Sequence, residues 1–467
     1  MNQQPNYTPR SAWESCAESA QHEAVETFAK RYLDFVSQCK TERETIAYVR
    51  ERLLQAGYVE KFSPDAPCLF RQLRGKALFA VRRGSAPLEQ GLSLIAAHAD
   101  TPRLDFKQRP LIEQPGVAQA KTHYYGGIRK YQWLARPLAL HGVVVRDNGE
   151  CVQVTVGEKP DEPVFCIADL LPHLAQKQAQ QTVSDAFEGE KLNIILAHRP
   201  KTDRQDGETA DTSDSTGKDA IKASLLDCLH KKYGIVEEDL ISAELQAVPA
   251  GPARFVGFDK ALLGGYGQDD RICVFTALEA LLTATPGEGH MALMLWDKEE
   301  IGSDGASGAS SRFFQYCVED LARVWAADTP ASHILQNSRA ISADVHAAFD
   351  PDFPEVHEKQ NAAQLGFGPC FAKYGGSRGK YSASEADAEY LAWLRGIFNA
   401  RGIPWQAAEL GKVDQGGGGT VALFLAAYGM QVIDLGPALL SMHSPFELAS
   451  SVDLYATWQA YTAFLEA

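Results

Sequence analysis

From residue 255 to the C-terminus, short apolar runs typical of buried strands alternate with longer segments of helical periodicity. The run "HMALMLW" at residues 290–296 indicates a strand, and "RICVFTALEALLTA" before it indicates a helix. Strands that alternate with helices predict a mainly parallel sheet covered by helices on both faces. We therefore expect an α/β fold, and we expect the segment from Ser444 onwards to close it as a helix.

The pattern changes between residues 102 and 254, where short β-like runs such as "LALHGVVVRD" are mixed with turns. Residues 201–219 form a polar, acidic stretch of low complexity, which predicts a mobile loop. A chain of 467 residues is long enough for two domains with cores of their own. We predict one α/β domain made of residues 1–101 and 255–467, interrupted by an inserted β-rich domain at 102–254.

Composition and charge narrow the classes of function. The formal net charge of -15 gives no support to nucleic-acid binding, which usually shows as a basic balance. No apolar run reaches the roughly 20 residues that span a bilayer, so we expect no membrane partner. The N-terminal residues lack the pattern of a signal peptide, and nine scattered cysteines without a C-x-x-C pair favour reduced thiols. Together these features indicate a cytoplasmic protein.

Polar residues follow several predicted strands directly. His98 and Asp100 end the run "LIAAHAD", Glu299 and Glu300 follow "MLWDK", and Asp344 ends "AISAD". In open α/β sheets, functional sites form beyond the carboxyl ends of the strands. We therefore expect these five side chains to converge.

Three further residues extend this set. His443 lies a few residues past the strand "MQVIDLG", and Asp269 and Asp270 come directly before a predicted helix. Histidines and carboxylates without cysteine suit Zn²⁺, Mn²⁺ or Co²⁺. Singly, each residue has an ordinary alternative as a core histidine, a helix N-cap or a solvated turn. The prediction of a metal site rests on their combination.

The adjacent acids Glu299 and Glu300 repel each other, and cations would neutralise them. In a two-metal site, Glu300 would hold an ion while Glu299 accepts a proton from the attacking water. The H-x-D pair fits the same site, because Asp100 would orient the imidazole of His98.

Six segments carry a family resemblance: "AAHADTPRLDFK", "YGQDDRICVFTALEALL", "DKEEIGSDGASGA", "ISADVHAAFDP", "GKVDQGGGGTVA" and "LSMHSPFE". Together, and in order along nearly the whole chain, they resemble the M18 family of metallo-aminopeptidases, the aspartyl-aminopeptidase group. The resemblance implies the binuclear zinc-peptidase fold, a catalytic domain in two parts, and an inserted domain at 102–254 that builds dimers. It also implies that these dimers assemble into a hollow homododecamer.

The resemblance implies two divalent ions per subunit, with zinc first and manganese or cobalt as alternatives. One ion would be held by His98, Asp269 and Asp344. The other would be held by Asp269, Glu300 and His443, so that Asp269 bridges the two. A cis peptide bond after Asp269 is implied as well.

Further roles come from the same resemblance. Glu299 would be the general base, and Asp100 would support the metal ligands from behind. His173 is a candidate for the histidine that reaches a neighbouring subunit's active site in some relatives. A structural role for His173 stays open, because Lys177 stands where some members have a second histidine. His346 is expected to line the site or support it and not to bind metal.

Substrate recognition is expected from two glycine-rich loops. The resemblance implies a preference for an acidic first residue, which needs a positive pocket. Arg378 and Lys380 in "YGGSRGKYSAS" would supply it, with a solvated basic turn as the alternative. The run ending at Gly419 would let the backbone approach a substrate, because it lacks the lysine of a phosphate-binding loop.

The expected activity is hydrolysis of the first residue from peptides with a free N-terminus. Two alternatives remain: another two-metal hydrolase such as a dipeptidase or deacylase, and a catalytically silent assembly protein. Only an aminopeptidase needs a free amine, and the intact Glu299 argues against the silent protein.

Overall fold

The computed structural model describes residues 6–16, 18–201 and 219–467. Its helices, in chain order, are α1 (Ala12–Ser15), α2 (Ser19–Gln38), α3 (Glu42–Gln55), α4 (Val183–Ala186), α5 (Ala220–Tyr233), α6 (Gln268–Thr283), α7 (Phe313–Trp325), α8 (Ala331–Asn337), α9 (Ala388–Ala400), α10 (Ala422–Ala426) and α11 (Ser451–Leu465). Its strands are β1 (Cys68–Leu73), β2 (Ala77–Arg82), β3 (Leu92–His98), β4 (Arg103–Gln114), β5 (Val117–Tyr125), β6 (Leu138–Val145), β7 (Cys151–Val156), β8 (Ile194–Ala197), β9 (Ala243–Pro249), β10 (Arg254–Val256), β11 (Leu262–Gly265), β12 (His290–Trp296), β13 (Arg339–Ser342), β14 (His346–Ala347), β15 (Cys370–Ala372), β16 (Gly376–Ser377), β17 (Gln406–Ala407), β18 (Gly417–Gly418), β19 (Gln431–Gly436), β20 (Ala438–Leu440) and β21 (Glu447–Ser450). The loop predicted at 201–219 lies almost entirely outside the described residues.

The chain divides into two compact units. The first unit consists of Met1–Thr101 and Pro252–Ala467, and the second unit consists of Pro102–Gly251. The second unit ends slightly before residue 254, the boundary expected from the sequence.

The first unit is built on an eight-stranded sheet in the order β1-β2-β12-β3-β13-β19-β15-β17. Its four central strands, β12, β3, β13 and β19, are parallel, as the alternation of strands and helices predicts. β1, β2 and β15 run antiparallel to neighbours, so the sheet is mainly and not entirely parallel, in line with the prediction. A tight turn at Gly75, with φ of 68°, joins β1 to β2, and so short a connection permits only an antiparallel pair.

Helices cover both faces of this sheet, and the strands are apolar on both faces accordingly. In β3, Ile95 and Ala97 join the core formed with α2, α6 and α11. Leu94 and Ala96 point the other way, into the core formed with α7, α8 and α10. This two-sided burial explains why the strand reads as a continuous apolar run in the sequence.

The register of the central strands brings their polar ends to one edge. Trp296 at the end of β12 pairs with His98 at the end of β3. Ser342, the last residue of β13, pairs with Ala96, so that the chain emerges from β13 beside the end of β3. The segments carrying Glu299, Glu300 and Asp344 therefore leave the sheet at the same edge as His98.

A second, five-stranded sheet of the first unit has the order β10-β11-β21-β20-β14. The sequence predicted a helix from Ser444 onwards, and this prediction is wrong for its first residues. Glu447–Ser450 form β21, which pairs with β11 and β20, and the helix begins only at Ser451. Pairing on both edges overrides the local helical pattern.

The second unit contains a six-stranded sheet in the order β7-β6-β9-β4-β5-β8, in which every neighbouring pair is antiparallel. Its core is rich in β-branched and leucine side chains, among them Val144, Val154, Val156 and Leu245.

Across the described part of the chain, no helix combines the length and hydropathy that crossing a bilayer requires.

Candidate metal centre

Asp269 lies at the centre of the candidate site, at the start of α6. The backbone is non-helical at Asp269 and Asp270, and the peptide bond between them is cis, as the resemblance implies. The Oδ1 atom of Asp269 is 3.2 Å from Nε2 of His98, and its Oδ2 atom is 3.1 Å from Nε2 of His443. The two oxygens of one carboxylate thus face two different histidines.

Glu300 approaches the same place from a short 3-10 helix, Glu299–Ile301, that follows β12. Its Oε2 atom is 3.4 Å from Nε2 of His443. His98, Asp269 and Glu300 each offer a ligand atom, and these atoms lie within 4.8 Å of one another. The other oxygen of Glu300, Oε1, is buried and accepts no hydrogen bond from the described residues.

A second group of potential ligands consists of Asp269, Asp270 and Asp344, whose oxygens also lie within 4.8 Å of one another. Asp270 is not among the ligands that the family resemblance implies. Its Oδ2 atom accepts a hydrogen bond of 3.3 Å from the backbone of His98, while Oδ1 has no partner among the described residues. Unsatisfied carboxylate oxygens are costly to bury, and a cation would satisfy them. The residues present therefore fit a divalent ion with nitrogen and oxygen ligands.

Asp100 supports this cluster from a fully buried position. Its Oδ1 atom accepts a hydrogen bond of 3.1 Å from the backbone of Glu299, and Oδ2 accepts one of 3.2 Å from Glu300. Oδ1 is also 3.3 Å from Nδ1 of His98. One carboxylate thus orients a histidine and fixes the backbone of two adjacent acids.

The histidines are strongly coupled to the acids around them. Burial acts to lower the pKa of His98, but hydrogen bonds to Asp100 and Asp269 raise it well above its ordinary value. Burial acts the same way on His443, whose pKa nevertheless rises to about 10 because of Asp269 and Glu300. Although burial opposes it, contact with both histidines lowers the pKa of Asp269.

The pKa values of three other acids, Glu299, Glu300 and Asp344, are raised, in contrast to that of Asp269. Burial, reinforced by Asp100 and Asp269, raises the pKa of Glu299 to about 7. Burial is also the main cause that raises the pKa of Glu300 and Asp344 well above the ordinary value. A carboxylate that titrates near neutral pH is suited to general-base work.

These residues open onto a cavity of about 760 Å³, which Glu299, His443 and the predicted substrate residues Arg378, Lys380 and Gly419 all line. Lys380 is engaged already: its Nζ atom is 3.1 Å from Glu385 Oε1 and 3.7 Å from the ring centroid of Tyr374. Arg378 and Lys380 have positive φ angles of 51° and 64°. The loop that carries Arg378 and Lys380, called the basic loop below, thus faces the cavity.

Two more histidines were named from the sequence: His346, which lines the cavity, and His173, which belongs to the second unit. His346 is buried and lines the cavity, and burial lowers its pKa. His173 belongs to the second unit, where it sits exposed on the short helix Pro172–Leu174.

Several cavity residues were not predicted. The Tyr374 hydroxyl donates a hydrogen bond of 2.6 Å to Glu409, and the Thr420 hydroxyl donates one of 2.8 Å to Asp434. Lys412 also lines the cavity. Asp434 could have been predicted from the sequence, because it is an acid inside the apolar strand "MQVIDLG". Tyr374, Lys412 and Thr420 lie in the glycine-rich segments quoted above, but no sequence pattern there marks them individually.

Comparison with known proteins adds independent findings. Residues 35–465 match the family model described as aminopeptidase I zinc metalloprotease (M18). A probable M18 family aminopeptidase 1 from Thermotoga maritima is 45% identical over 451 residues, covering 95% of this chain and 96% of the relative.

Solved structures agree with these matches. An M18 aminopeptidase from Thermotoga maritima has a TM-score of 0.91 at 43% identity, covering 99% of this chain and 100% of the other. Aminopeptidase I from Clostridium acetobutylicum has a TM-score of 0.90 at 42% identity, with the same coverage of 99% and 100%. A more distant likeness is to the mApe1 dodecamer of Saccharomyces cerevisiae, with a TM-score of 0.75, 23% identity, and coverage of 95% and 97%.

Proposed function

The chain belongs to the M18 family of zinc metallo-aminopeptidases, and we propose that it removes N-terminal residues with two divalent ions that share Asp269. The observation that carries this proposal is the orientation of the Asp269 carboxylate. Its oxygens lie 3.2 Å from His98 and 3.1 Å from His443, on two sides of one residue. A single ion would leave one of these histidines without a metal partner.

The ligands divide into two sets. His98 and Asp344 would hold one ion together with Asp269. Glu300 and His443 would hold the other ion, again with Asp269. Zinc is the family's metal and suits these donors, and manganese and cobalt are alternatives for the same nitrogen and oxygen ligands.

When bound, the two ions polarise the scissile carbonyl and make the attacking water more acidic. Glu299 accepts the proton of that water on its carboxylate and passes it to the leaving amine. In the metal-free protein burial raises the pKa of Glu299 to about 7, and bound cations would lower it by favouring the carboxylate, the form that accepts the proton. Asp100 keeps Glu299 in place by accepting a hydrogen bond of 3.1 Å from its backbone N–H group.

Substrate selection is proposed to depend on the basic loop. Arg378 and Lys380 line the cavity and would attract an acidic first side chain. Lys380 already pairs with Glu385 at 3.1 Å, so an incoming carboxylate has to compete for it. Arg378 is therefore the stronger candidate for an acidic preference. Gly419 lines the cavity without a side chain and would let the substrate main chain approach closely.

Assembly is proposed to use the second unit as a dimerisation domain, with dimers forming a homododecamer. Leu170, Leu171 and Leu174 flank His173 and are 46%, 52% and 69% exposed. Leucines this exposed on one short segment favour a protein partner. A neighbouring subunit covering them would bring His173 to an active site. The nine free thiols support a cytoplasmic location.

The test compares aminoacyl anilides that have a free amine with their N-acetylated forms, and dipeptides with longer peptides, after chelation and readdition of zinc, manganese or cobalt. We expect metal-dependent hydrolysis of the free-amine substrates alone. Preferential hydrolysis of the acetylated forms would favour a deacylase, and preference for dipeptides over longer peptides would favour a dipeptidase. No hydrolysis with any of the metals would favour the silent assembly protein.

A further inference from the structure

Glu447 is a completely buried carboxylate that stands outside the proposed ligand set. It begins β21, four residues after His443 in the motif "LSMHSPFE". Its Oε1 atom accepts a hydrogen bond of 2.8 Å from the backbone N–H group of His443. Its Oε2 atom accepts hydrogen bonds from the backbone N–H groups of Gln268, at 2.6 Å, and Asp269, at 3.3 Å. A single side chain therefore connects the backbones of two proposed ligands.

Gln268 strengthens this connection and is itself buried. Its side-chain amide donates to the backbone oxygen of Glu447 at 2.6 Å and to that of Leu263 at 3.0 Å. Its side-chain oxygen accepts a hydrogen bond of 3.2 Å from the hydroxyl of Tyr32. The residue before Asp269 is thus attached to Glu447 by its backbone and by its side chain.

The two ligands need such support, because neither lies within a regular element. His443 has a positive φ of 63°, and Asp269 is non-helical at the start of α6. Their side chains nevertheless approach within 3.1 Å. Since Glu447 holds both backbones through opposite oxygens, a change in its carboxylate alters the separation of the two ligands.

We propose that Glu447 is a positioning residue that sets the affinity of the ion shared by Asp269, Glu300 and His443. This inference rests on the two-ion site proposed above. The other ion depends on His98, which Asp100 and Asp270 support independently of Glu447. Asp269 belongs to both ligand sets and His443 to only one, so the effect of Glu447 is larger for the ion that His443 holds.

The test replaces Glu447 with glutamine, which has the same size but only one oxygen acceptor. Zinc binding is measured by calorimetric titration of the metal-free protein and by elemental analysis after dialysis. We expect one zinc equivalent to bind about 10–100-fold more weakly, the usual effect of losing a group that supports metal ligands, and the affinity of the other to fall by less.

Asp453→Asn is the matched control. Asp453 is also completely buried, and its two oxygens accept backbone hydrogen bonds of 2.7 Å from Gly366 and Gly368, which are not proposed ligands. This variant should lose stability but keep both zinc affinities. A loss of affinity that is larger for one zinc ion is a result that a general structural role for Glu447 does not produce.

Glu447→Asp serves as a second variant if Glu447→Gln does not fold. It keeps both oxygens but is one methylene shorter, and we expect a weaker loss of affinity for the same ion. Two zinc ions bound with wild-type affinity by the folded Glu447 variant would refute the positioning role alone. A wild-type protein that binds fewer than two zinc ions would refute the two-ion proposal and this inference with it.

Discussion

Replacing Asp100 with asparagine changes one atom of the residue that supports both the base and the ligands. The carboxylate accepts the backbone N–H groups of Glu299 and Glu300 on separate oxygens, and one of these oxygens also faces His98. Asparagine retains a single oxygen. Its NH₂ group must face a backbone N–H group or the histidine ring, so at least one buried donor loses its acceptor.

The magnitude follows from these contacts. Leaving one buried donor unsatisfied costs about 1–3 kcal/mol in the free energy of unfolding. Losing the group behind a histidine ligand weakens metal affinity by about 10–100-fold. We expect Asp100→Asn to lower both the free energy of unfolding and the zinc affinity by these amounts, because the same hydrogen bonds stabilise the fold and orient His98, Glu299 and Glu300.

The assay has two parts. Zinc affinity is measured by competition with a chromophoric chelator, and the free energy of unfolding is measured by urea denaturation of the metal-free protein. Asp453→Asn makes the same chemical change away from the proposed ligands, and it should lower stability alone. An Asp100→Asn protein with wild-type zinc affinity and a wild-type free energy of unfolding would refute the role assigned to this carboxylate.

Three further predictions concern the same centre. Glu299→Gln should retain zinc but lower kcat by about 10²–10⁴-fold, the usual contribution of a general base; near-normal turnover would show that another group takes the proton. His443→Ala and Asp344→Ala should each lose bound metal by elemental analysis, and full occupancy in either would remove that residue from the ligand set. Zinc binding should release protons and tighten as pH rises, because the raised pKa of His443, about 10, keeps this ligand protonated near neutral pH and zinc requires it deprotonated. Calorimetry in buffers of different ionisation enthalpy measures this release, and a binding enthalpy independent of the buffer would contradict it.

The central strands and the residues at their ends were predictable from the sequence. A strand buried on both faces, such as β3 or β12, is a continuous apolar run, and the first polar residues after it mark the carboxyl edge of the sheet. His98, Glu299 and Asp344 were identified in this way. The edge strands were not, because their antiparallel pairing depends on the hairpin turn at Gly75 and on contacts distant in sequence.

Other parts of the site needed more than local pattern. Asp269 precedes a helix, where an N-cap is an equally good explanation, and only the family resemblance gave it a bridging role. Glu447 could not be assigned from the sequence at all. Its neighbourhood has a helical pattern, and its proposed role depends on the backbones of Gln268 and Asp269, which are distant in the chain, as well as on that of nearby His443.

The central claim is that two cations share the carboxylate of Asp269. The most direct measurement is a crystal structure of the zinc-loaded protein, with anomalous diffraction recorded on both sides of the zinc absorption edge. We predict two anomalous peaks per chain, one beside His98 and Asp344 and the other beside Glu300 and His443, with Asp269 bound to both. A single peak, or a pair of peaks that do not share Asp269, would contradict the claim.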